Sequence, residues 1–374
     1  MSARYPIKQL TIKGFKSIKE LNALPLGQLN VLIGANGAGK SNFVSYFRML
    51  HEMMGQRLQH WTRMCGGADR ILSFGVKETD KVESLIEFDS LGYKFELTPT
   101  ENGIFSFASE SSFYTTKDSD KENTHFGVGH EEAMIKTIAE GRPSLLDFIF
   151  HIRDCYNSMS SWKVFHFHDT SNTAGVKRRG ALHDNEYLRP DASNLAAFLY
   201  RLSREAPDVF AQIRKTIQLA IPFFDDFVLK PEELPTGEKL IWLMWTQKDS
   251  DYPFWPSQLS DGSIRFICLA TALLQPNPPT TIIIDEPELG LHPYAITLLG
   301  ALLRSASTRM QVIVSTQSVP LVNEFSIDDL IIVERERGAT IFRRHSESEF
   351  QAWLEEYSVG ELWEKNILEG RPHP

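Results

Sequence analysis

The sequence predicts an α/β protein built around a parallel sheet, with a mainly helical segment between its two halves. The first observation is an apolar run at 29–33 that leads through a glycine-rich loop into helically spaced apolar residues from Asn42 onward. The second is the β-branched run at 280–284, which is typical of a strand buried on both faces. The third is that a helical pattern at 294–304 and a strand pattern at 311–314 follow this run, as in βαβ units.

Composition places the chain among globular proteins. It has 374 residues, 42% hydrophobic and 23% charged, which excludes a disordered or low-complexity chain. No apolar run reaches the ~18 residues of a membrane-spanning helix, and the N-terminus lacks the apolar region of a secretory signal. The three cysteines lie far apart, which excludes a cysteine zinc site and favours a reducing compartment. We therefore expect a cytoplasmic protein that does not contact a membrane.

Net charge argues against nucleic-acid binding over the whole surface. The chain has 39 Lys+Arg against 48 Asp+Glu, a formal charge of -9, and this field repels nucleic acid. Short basic clusters such as 177–179 are typical of solvated surface. Contact with nucleic acid stays open and would have to be local.

The remaining elements follow in chain order. Residues 7–12 alternate as a strand does, and 82–97 predict a hairpin of two short strands. The polar stretch 109–130 predicts a mobile loop. Helical spacing returns at 131–156 and 194–220.

Strand patterning resumes at 239–246 and again at 330–333. We therefore predict three segments. Residues 1–110 form the first part of the main domain, 111–238 a mainly helical insertion, and 239–374 the second part of the main domain.

Residues 34–41 carry the pattern G-x-x-x-x-G-K-[ST] of a phosphate-binding loop, between a predicted strand and an amphipathic helix. The glycines let backbone amides point at phosphate oxygens, and the helix start adds the positive end of its dipole. We expect Lys40 to reach the β- and γ-phosphates and Ser41 to bind Mg²⁺. The loop residues predicted to contact the nucleotide with them are Asn36, Gly37, Ala38, Gly39 and Asn42.

Two acids, Asp285 and Glu286, follow the β-branched strand, at the carboxyl edge where open α/β sheets bind ligands. We predict that Asp285 holds Mg²⁺, directly or through water, and that Glu286 polarises the water attacking the γ-phosphate. Adjacent acids at a strand end are by themselves often a solvated cap. The phosphate-binding loop upstream favours the catalytic interpretation.

Residues 259–263, LSDGS, precede a helically spaced apolar stretch. Ser260 and Gly262 could form an ordinary helix N-cap, or offer a hydroxyl and free amides to a phosphate. In isolation the string favours the cap. Its position between the phosphate-binding loop and the two acids favours phosphate binding.

The order of GANGAGKS, LSDGS and IIIDEPELGLHP resembles that of the ATP-binding-cassette ATPases of the SMC and RecF group. LSDGS resembles their signature motif, and DEPELGLHP their Walker B motif followed by the D-loop. The resemblance covers 1–60 and 255–335 well and the middle in outline. It implies an ABC-type P-loop NTPase head with a mixed β-sheet and a helical insertion lobe. The chain lacks heptad repeats, so we expect a compact head without a coiled coil.

The same resemblance implies a homodimer that closes head to tail around two ATP molecules, so that Ser260 and Gly262 act on the nucleotide of the other copy. Residues 12–17 resemble the group's first strand motif, in which the positions of Lys16 and Ser17 approach the nucleotide. Where the group commonly has a switch histidine, this chain has Gln317. We expect Gln317 to keep the switch role without acid–base chemistry, because glutamine has no titratable proton.

These features predict an ATPase whose nucleotide-driven dimerisation regulates a DNA transaction or an effector protein, as in prokaryotic anti-phage systems with RecF-like ATPases. The head also resembles that of overcoming-lysogenization-defect nucleases. The segment after Val333 is too short for their nuclease domain and lacks the acidic strand ends of a two-metal site. A separate nuclease or toxin subunit stays open as a partner. The alternative is a non-hydrolysing nucleotide sensor or scaffold, against which the intact Glu286 argues.

His166 and His168 alternate with phenylalanine. On one strand they would share a face and could bind a metal ion. A strand with polar residues facing solvent explains the same spacing, and the spacing alone favours that second interpretation.

Overall fold

The computed structural model describes residues 4–115, 121–141 and 148–370. The first nine strands are β1 (Gln9–Phe15), β2 (Ile18–Pro25), β3 (Leu29–Ile33), β4 (Val82–Glu87), β5 (Leu91–Pro99), β6 (Phe105–Thr115), β7 (Lys121–His125), β8 (Lys163–Phe165) and β9 (Gly180–Ala181). The later strands are β10 (Phe224–Val228), β11 (Glu232–Glu233), β12 (Lys239–Ile241), β13 (Met244–Gln247), β14 (Thr281–Asp285), β15 (Gln311–Thr316), β16 (Leu330–Glu336) and β17 (Ala339–Arg343).

The α-helices lie between groups of these strands and at the end of the described chain. They are α1 (Lys40–Met54), α2 (Leu58–Met64), α3 (Met134–Glu140), α4 (Phe148–Ser160), α5 (Leu195–Glu205), α6 (Pro207–Ala220), α7 (Asp261–Leu274), α8 (Pro293–Ser307), α9 (Val319–Val322), α10 (Gln351–Leu354) and α11 (Val359–Glu364). Among the described residues, no helix is long and apolar enough to span a membrane.

A six-stranded sheet in the order β17-β16-β3-β15-β14-β8 forms the centre of the fold. Its strands run parallel except for β17, which pairs antiparallel with β16 at one edge. Every residue of β3, β14 and β15 is buried. The predicted α/β class and the mixed sheet are confirmed.

Alternate residues of these buried strands face two different cores. Leu32, Ile283 and Ile313 join the core that includes the apolar side of α1. Val31 and Val312 join the core that includes α7 and α8. Side chains of a strand alternate between the faces of its sheet, so a strand covered on both faces is apolar throughout.

A second six-stranded sheet, β2-β1-β4-β5-β6-β7, is antiparallel and packs on the other side of α1. The predicted hairpin at 82–97 is confirmed as β4 and β5. The predicted loop at 109–130 is wrong for 109–115 and 121–125, because β6 and β7 pair there, whereas 126–130 lie outside the strands. Its Ser, Thr and Glu content suggested a loop, but β5 supplies a complete backbone partner, and strand preference depends strongly on such context. Residues 116–120 of the stretch lie outside the described residues.

The middle segment contains the predicted helices as α3 and α4, then α5 and α6. Part of the first helical prediction, 142–147, lies outside the described residues. The strand β8 comes from the same segment, yet it pairs with β14 in the central sheet. The division of the chain at 110 and 238 stays a prediction.

Candidate nucleotide-binding site

The phosphate-binding loop connects the end of β3 to the first residue of α1, Lys40. Gly39 precedes the helix with a φ of 117°. A Cβ there would lie 2.0 Å from Thr340 Oγ1 on β17. Both the backbone angle and this close approach require glycine, so the sequence of the loop is set by the fold as well as by the ligand it suits.

The side chain of Lys40 is 5% exposed and lies along the loop. Its Nζ donates hydrogen bonds to the carbonyl oxygens of Gly34 at 2.5 Å and Ala35 at 3.0 Å. Burial lowers the pKa of Lys40, while the charges of Glu286, Asp285 and Glu288 oppose this shift. The ammonium is thus held beside the loop by acceptors that phosphate oxygens would replace.

A cavity of about 180 Å³ opens in front of the loop. The structure brings predicted site residues from three strand ends together around it: Asn36, Gly37, Gly39, Lys40, Ser41, Asn42, Glu286 and Gln317. The carboxyl ends of adjacent parallel strands meet at one edge of the sheet, and for this reason β3, β14 and β15 deliver their following residues to one place.

Asp285 is the last residue of β14, and its buried carboxylate accepts a hydrogen bond from the Ser315 hydroxyl on β15. Glu286 follows with a φ of 45°, a left-handed angle that is uncommon for a residue with a side chain. Its backbone N–H donates to Ser315 O at 2.9 Å. The Gln317 amide donates to the Glu286 carboxylate. The turn at the strand end therefore directs Glu286 into the cavity beside the glutamine.

Glu288 is a residue that the sequence analysis did not single out. It is 9% exposed, and its Oε1 accepts hydrogen bonds from Thr316 Oγ1 at 2.5 Å and from the Gln317 N–H at 3.1 Å. Burial raises the pKa of Glu288, and these hydrogen bonds oppose the shift. Glu288 thus positions the backbone of Gln317. In the sequence Glu288 is marked only as a third acid after Asp285 and Glu286, a pattern that solvated surface acids also show.

Ser17 reaches the loop through a chain of hydroxyls. Asn42 Nδ2 donates to Ser17 Oγ at 2.6 Å, and Ser17 Oγ lies 2.6 Å from Thr340 Oγ1. Thr340 in turn donates to the carbonyl of Ala38 at 2.8 Å. Ser17 and Thr340 therefore lie behind the loop and hold its backbone at Ala38, and neither Ser17 nor Ala38 is among the described residues that line the cavity.

Lys16 directly follows β1, and its side chain contacts α1 beyond the loop. Its Nζ donates to Ser45 Oγ at 2.6 Å and lies 6.0 Å from the centre of the Trp61 ring. Burial lowers the pKa of this lysine. Among the described residues that line the cavity, Lys16 is absent.

Ser260 is exposed and caps the start of α7, where its Oγ accepts a hydrogen bond from the Ser263 N–H at 3.1 Å. Gly262 packs against the loop after Glu286, and a Cβ on it would lie 2.2 Å from Gly290 O. Neither Ser260 nor Gly262 is among the described residues that line the cavity. A single copy of the chain therefore leaves these two predicted residues apart from the phosphate-binding loop.

His166 and His168 follow β8, which ends at Phe165. Their rings stack with centres 4.1 Å apart. His168 Nε2 lies 3.0 Å from the backbone oxygen of Asp285. The expectation of a solvent-facing strand is wrong, since the strand has ended and both residues lie beside the end of β14.

Comparison with known protein families gives a match over most of the chain. The family model described as "AAA domain, putative AbiEii toxin, Type IV TA system" matches residues 29–323. Nod factor export ATP-binding protein I of Rhizobium etli is 37% identical over 89 residues, which is 24% of this chain and 28% of that protein. Its counterpart in Mesorhizobium japonicum is 32% identical over 117 residues, 31% of this chain and 32% of that protein. The chain thus spans less than a third of the length of these curated relatives.

Solved structures with a similar fold include heads of SMC proteins. The SmcHead bound to the C-winged helix domain of ScpA has a TM-score of 0.55 and 16% identity, covering 93% of this chain and 99% of that chain. The Smc head domain with an extended coiled coil, bound to the C-terminal domain of ScpA from Pyrococcus furiosus, has a TM-score of 0.52 and 15% identity, covering 94% and 99%. The predicted fold, that of an ABC-type P-loop head, is confirmed as the fold of these SMC heads.

Proposed function

We propose an ATP-driven switch for this chain, which belongs to the AAA domain family whose model matches it. One observation carries the proposal. The cavity brings Lys40 and Ser41 from the phosphate-binding loop together with Glu286 and Gln317 from two other strand ends. Phosphoryl transfer to water needs groups that bind phosphate, hold the metal ion and position the water, and these four side chains can fill those roles.

The donors at the cavity suit Mg²⁺ and ATP. The Ser41 hydroxyl and the Asp285 carboxylate are hard oxygen ligands of the kind that Mg²⁺ prefers. The ion, when bound, neutralises charge on the phosphate oxygens. Lys40 would bind the β- and γ-phosphates in place of its present carbonyl acceptors. Glu286 would accept a hydrogen bond from the attacking water, and Gln317 would hold that carboxylate in place.

We infer a head-to-tail homodimer from the position of the signature residues. Ser260 stands exposed at the start of a 14-residue helix, α7, whose first amides favour a negative charge. In one copy this helix start does not line the cavity. A second copy, turned by a two-fold axis, would place its Ser260 and Gly262 against the γ-phosphate and complete two equivalent sites.

The biological part of the proposal is that closure and reopening of this dimer regulate a separate effector protein or a DNA transaction, including in anti-phage defence. The cavity holds the groups for nucleotide turnover. Among the described residues, the acids at the carboxyl end of β16, Glu334 and Glu336, are ion-paired with Arg343. Regulation of a partner protein therefore fits the chain better than a second reaction that the chain itself carries out on a nucleic acid. The competing function is a nucleotide sensor that does not hydrolyse ATP.

Steady-state phosphate release separates hydrolysis from sensing. The parent protein should release phosphate with Mg²⁺ and ATP, and Glu286→Gln should lose at least two orders of magnitude in rate while still binding ATP, since loss of one positioned base typically costs about that much. With ATP, Glu286→Gln should accumulate as a dimer in light scattering. A parent protein that binds ATP without turnover would favour the sensor.

Mixing two inactive variants tests the composite site. Lys40→Ala should lose nucleotide binding, and Ser260→Arg should block the contact with the other copy. A mixed dimer has one site that carries both changes and one site that carries neither. Partial recovery of turnover in the mixture is expected. No recovery, together with a Glu286→Gln protein that stays monomeric with ATP, would contradict the dimer.

A further inference from the structure

A second cavity, of about 640 Å³, lies at the end of α1 that is far from the phosphate-binding loop. Four cations line it, each from a different part of the chain: Arg57, Lys136, Lys163 and Arg189. Among the described residues that line it, Asp191 has the one carboxylate. We propose that this cavity binds a small ligand with adjacent phosphate groups, such as a diphosphate or a nucleotide.

The fold brings the four cations together at the edge of the central sheet opposite the nucleotide site. Arg57 follows α1 and directly precedes α2, and Lys136 lies on α3, which packs on α4. Lys163 is the first residue of β8, and β8 runs parallel to β14, so this lysine lies at the amino edge of the sheet. The phosphate-binding loop lies at the carboxyl edge, and the two cavities share no described lining residue.

Lys163 carries a charge that the described protein does not neutralise. Its side chain is half-buried, and burial lowers the pKa of this lysine. No carboxylate of the described chain offsets that shift. Its Nζ lies 4.7 Å from the centre of the Tyr187 ring, a cation–π contact worth about 0.5 to 1 kcal/mol at exposed sites. A half-buried charge with so weak a partner destabilises the folded chain, and a bound anion would remove that penalty.

The cations also act on one another. The pKa of His51, which lines the same cavity, is lowered chiefly by burial and next by the charge of Lys163, and Arg57 adds to the shift while Glu52 opposes it. Positive charges that repel one another across a cleft with low-dielectric walls concentrate their field inside it. A phosphate placed between them would be attracted by each.

The two arginines are held in place and keep donors for a ligand. Arg57 Nε donates to Glu52 Oε2 at 2.6 Å, and Arg189 Nε lies 2.6 Å from Asp184 Oδ2. Both ion pairs use Nε, so the terminal nitrogens of each guanidinium can still donate to phosphate oxygens. The Arg57 guanidinium also packs over Gly55, where a Cβ would lie 2.6 Å from Nη1.

Segment 187–191 forms one wall of the cavity and is fixed by buried hydrogen-bonding groups. Asn194, 3% exposed, accepts from the Arg189 N–H at 2.9 Å and donates to the Tyr187 carbonyl at 2.8 Å. A wall that is ordered before binding loses little conformational entropy when the ligand arrives.

The size and charge of the region favour a small molecule over a nucleic acid. Small-molecule cavities commonly measure about 300 to 1,000 Å³, and this one lies in that range. A nucleic acid would extend beyond the cavity over a chain whose formal charge is -9. The side chains of Met54, Tyr156 and Tyr187 add apolar and aromatic wall for the rest of the ligand. The inference goes beyond the proposed ATPase and does not depend on it, because the cavity lies at the other edge of the sheet.

Calorimetric titration with inorganic pyrophosphate tests the cavity. Because pyrophosphate also suits the phosphate-binding loop, every variant is made in full-length Lys40→Ala protein. We expect binding in Lys40→Ala that weakens at least tenfold when Lys163→Met or Lys136→Gln is added, since each removes a charge-assisted contact. The control is Lys215→Gln, which changes an exposed lysine of α6 outside the cavity and should leave the affinity unchanged.

Thermal unfolding separates a ligand-binding lysine from a structural one. Without ligand, Lys163→Met should melt at the parental temperature or above it, because a half-buried charge is removed. The rise in melting temperature with millimolar pyrophosphate should be lost in the same variant. A structural lysine would give the reverse, a lower melting temperature with the rise intact, and that result would overturn the proposal.

Titration with ADP in the Lys40→Ala background identifies the source of the phosphates. Tighter binding of ADP than of pyrophosphate would assign a nucleotide, and equal affinity would assign a compact diphosphate, and either result supports the proposal. Absence of pyrophosphate binding at millimolar concentration would overturn it. So would equal binding with and without Lys163→Met, or binding of a single-stranded oligonucleotide by a protein that does not bind pyrophosphate.

Discussion

The two large sheets differ in how their strands are buried. Every residue of β14 and β15 is buried, whereas β4 of the antiparallel sheet alternates buried and half-buried residues. Strands covered on both faces keep no side chain free for chemistry along their length, so their reactive groups stand past their carboxyl ends. The antiparallel sheet carries no such edge. Its most unusual side chain is a buried acid, Glu110.

Glu110 lies on β6 with 1% of its surface exposed, and it is fully hydrogen bonded. Tyr93 Oη donates to it at 2.7 Å, and His130 Nε2 lies 2.7 Å from its other oxygen. The N–H groups of Met134 and Ile135 at the start of α3 donate to the same carboxylate. In the proposed function the parallel sheet holds its acids for a ligand, whereas the antiparallel sheet uses its acid to join a strand to a helix. The difference predicts that changes in the first affect function and changes in the second affect stability.

The largest expected effect is on function, in the parallel sheet. Lys40→Ala removes the cation that faces the phosphates, and ATP affinity measured by calorimetry should fall at least 100-fold, because several kcal/mol of charge-assisted hydrogen bonds are lost. The melting temperature without ATP should change less than in Glu110→Ala, since Lys40 makes two hydrogen bonds and its burial already disfavours the charged form. Lys13→Ala, an exposed lysine paired with Glu20, is the control and should bind ATP normally. Large unfolding of Lys40→Ala would break the distinction between the sheets.

The next effect is on stability, in the antiparallel sheet. Glu110→Ala leaves four donors without an acceptor, two of them buried and two half-buried, and the free energy of unfolding should fall by about 3 to 5 kcal/mol. Glu110→Gln keeps one acceptor oxygen and should cost less. Urea denaturation measures both variants, and ATP titration at low temperature should give parental affinity for whichever variant stays folded. A loss of ATP affinity in folded Glu110→Gln would show that the antiparallel sheet also shapes the site.

Thr340 joins the two regions, because it contacts Ser17 at the end of β1 and the Ala38 carbonyl of the loop. Thr340→Val keeps the shape and removes the hydroxyl, so we expect a loss of about 1 to 2 kcal/mol in unfolding free energy. ATP affinity should fall by a smaller factor than in Lys40→Ala. Thr340→Ser retains the hydroxyl and should restore most of both quantities. A valine variant that changes stability alone would mean that the loop holds its shape without this link.

The smallest effect concerns pH. The pKa of Glu288 is raised above 4.5 chiefly by burial, so the folded state binds its proton more tightly than the unfolded state does. Its contribution to stability is therefore highest at low pH and falls as pH rises from 4.5 through the raised pKa. Glu288→Gln has no such titration. Melting temperatures of the variant, relative to the parent, should increase between acidic and neutral pH, and a constant difference would contradict the shift.

Sequence patterns predicted the parallel sheet better than the antiparallel one. Continuous apolar runs such as 281–284 are strong evidence for a strand covered on both faces. In contrast, β6 and β7 are rich in Ser, Thr, Glu and Lys, and they become strands only because β6 pairs with β5 and β7 pairs with β6. Composition does not contain that information, because it depends on a partner elsewhere in the chain.

The same limit applies to the candidate site. The local pattern of the loop 34–41 is enough to predict phosphate binding, and the apolar strand before Glu286 is enough to predict that this acid lies at a strand end. The neighbours of Asp285 are different, because His166 and His168 reach it only through the pairing of β8 with β14, more than a hundred residues away in sequence. Glu288 likewise looks like a surface acid until its burial under Thr316 and Gln317 is known.

The contact between Gly262 and Gly290 has a mechanical consequence. Backbone meets backbone there without a side chain that could yield, so we expect the start of α7 and the loop after Glu286 to move together. In the proposed dimer one end of this piece faces the chain's own nucleotide and the other end faces that of its partner. A displacement of the loop after Glu286 at one nucleotide would then shift the start of α7 at the second nucleotide. The two sites of the proposed dimer would therefore be positively cooperative, so that the rate of ATP turnover rises more steeply than linearly with ATP concentration.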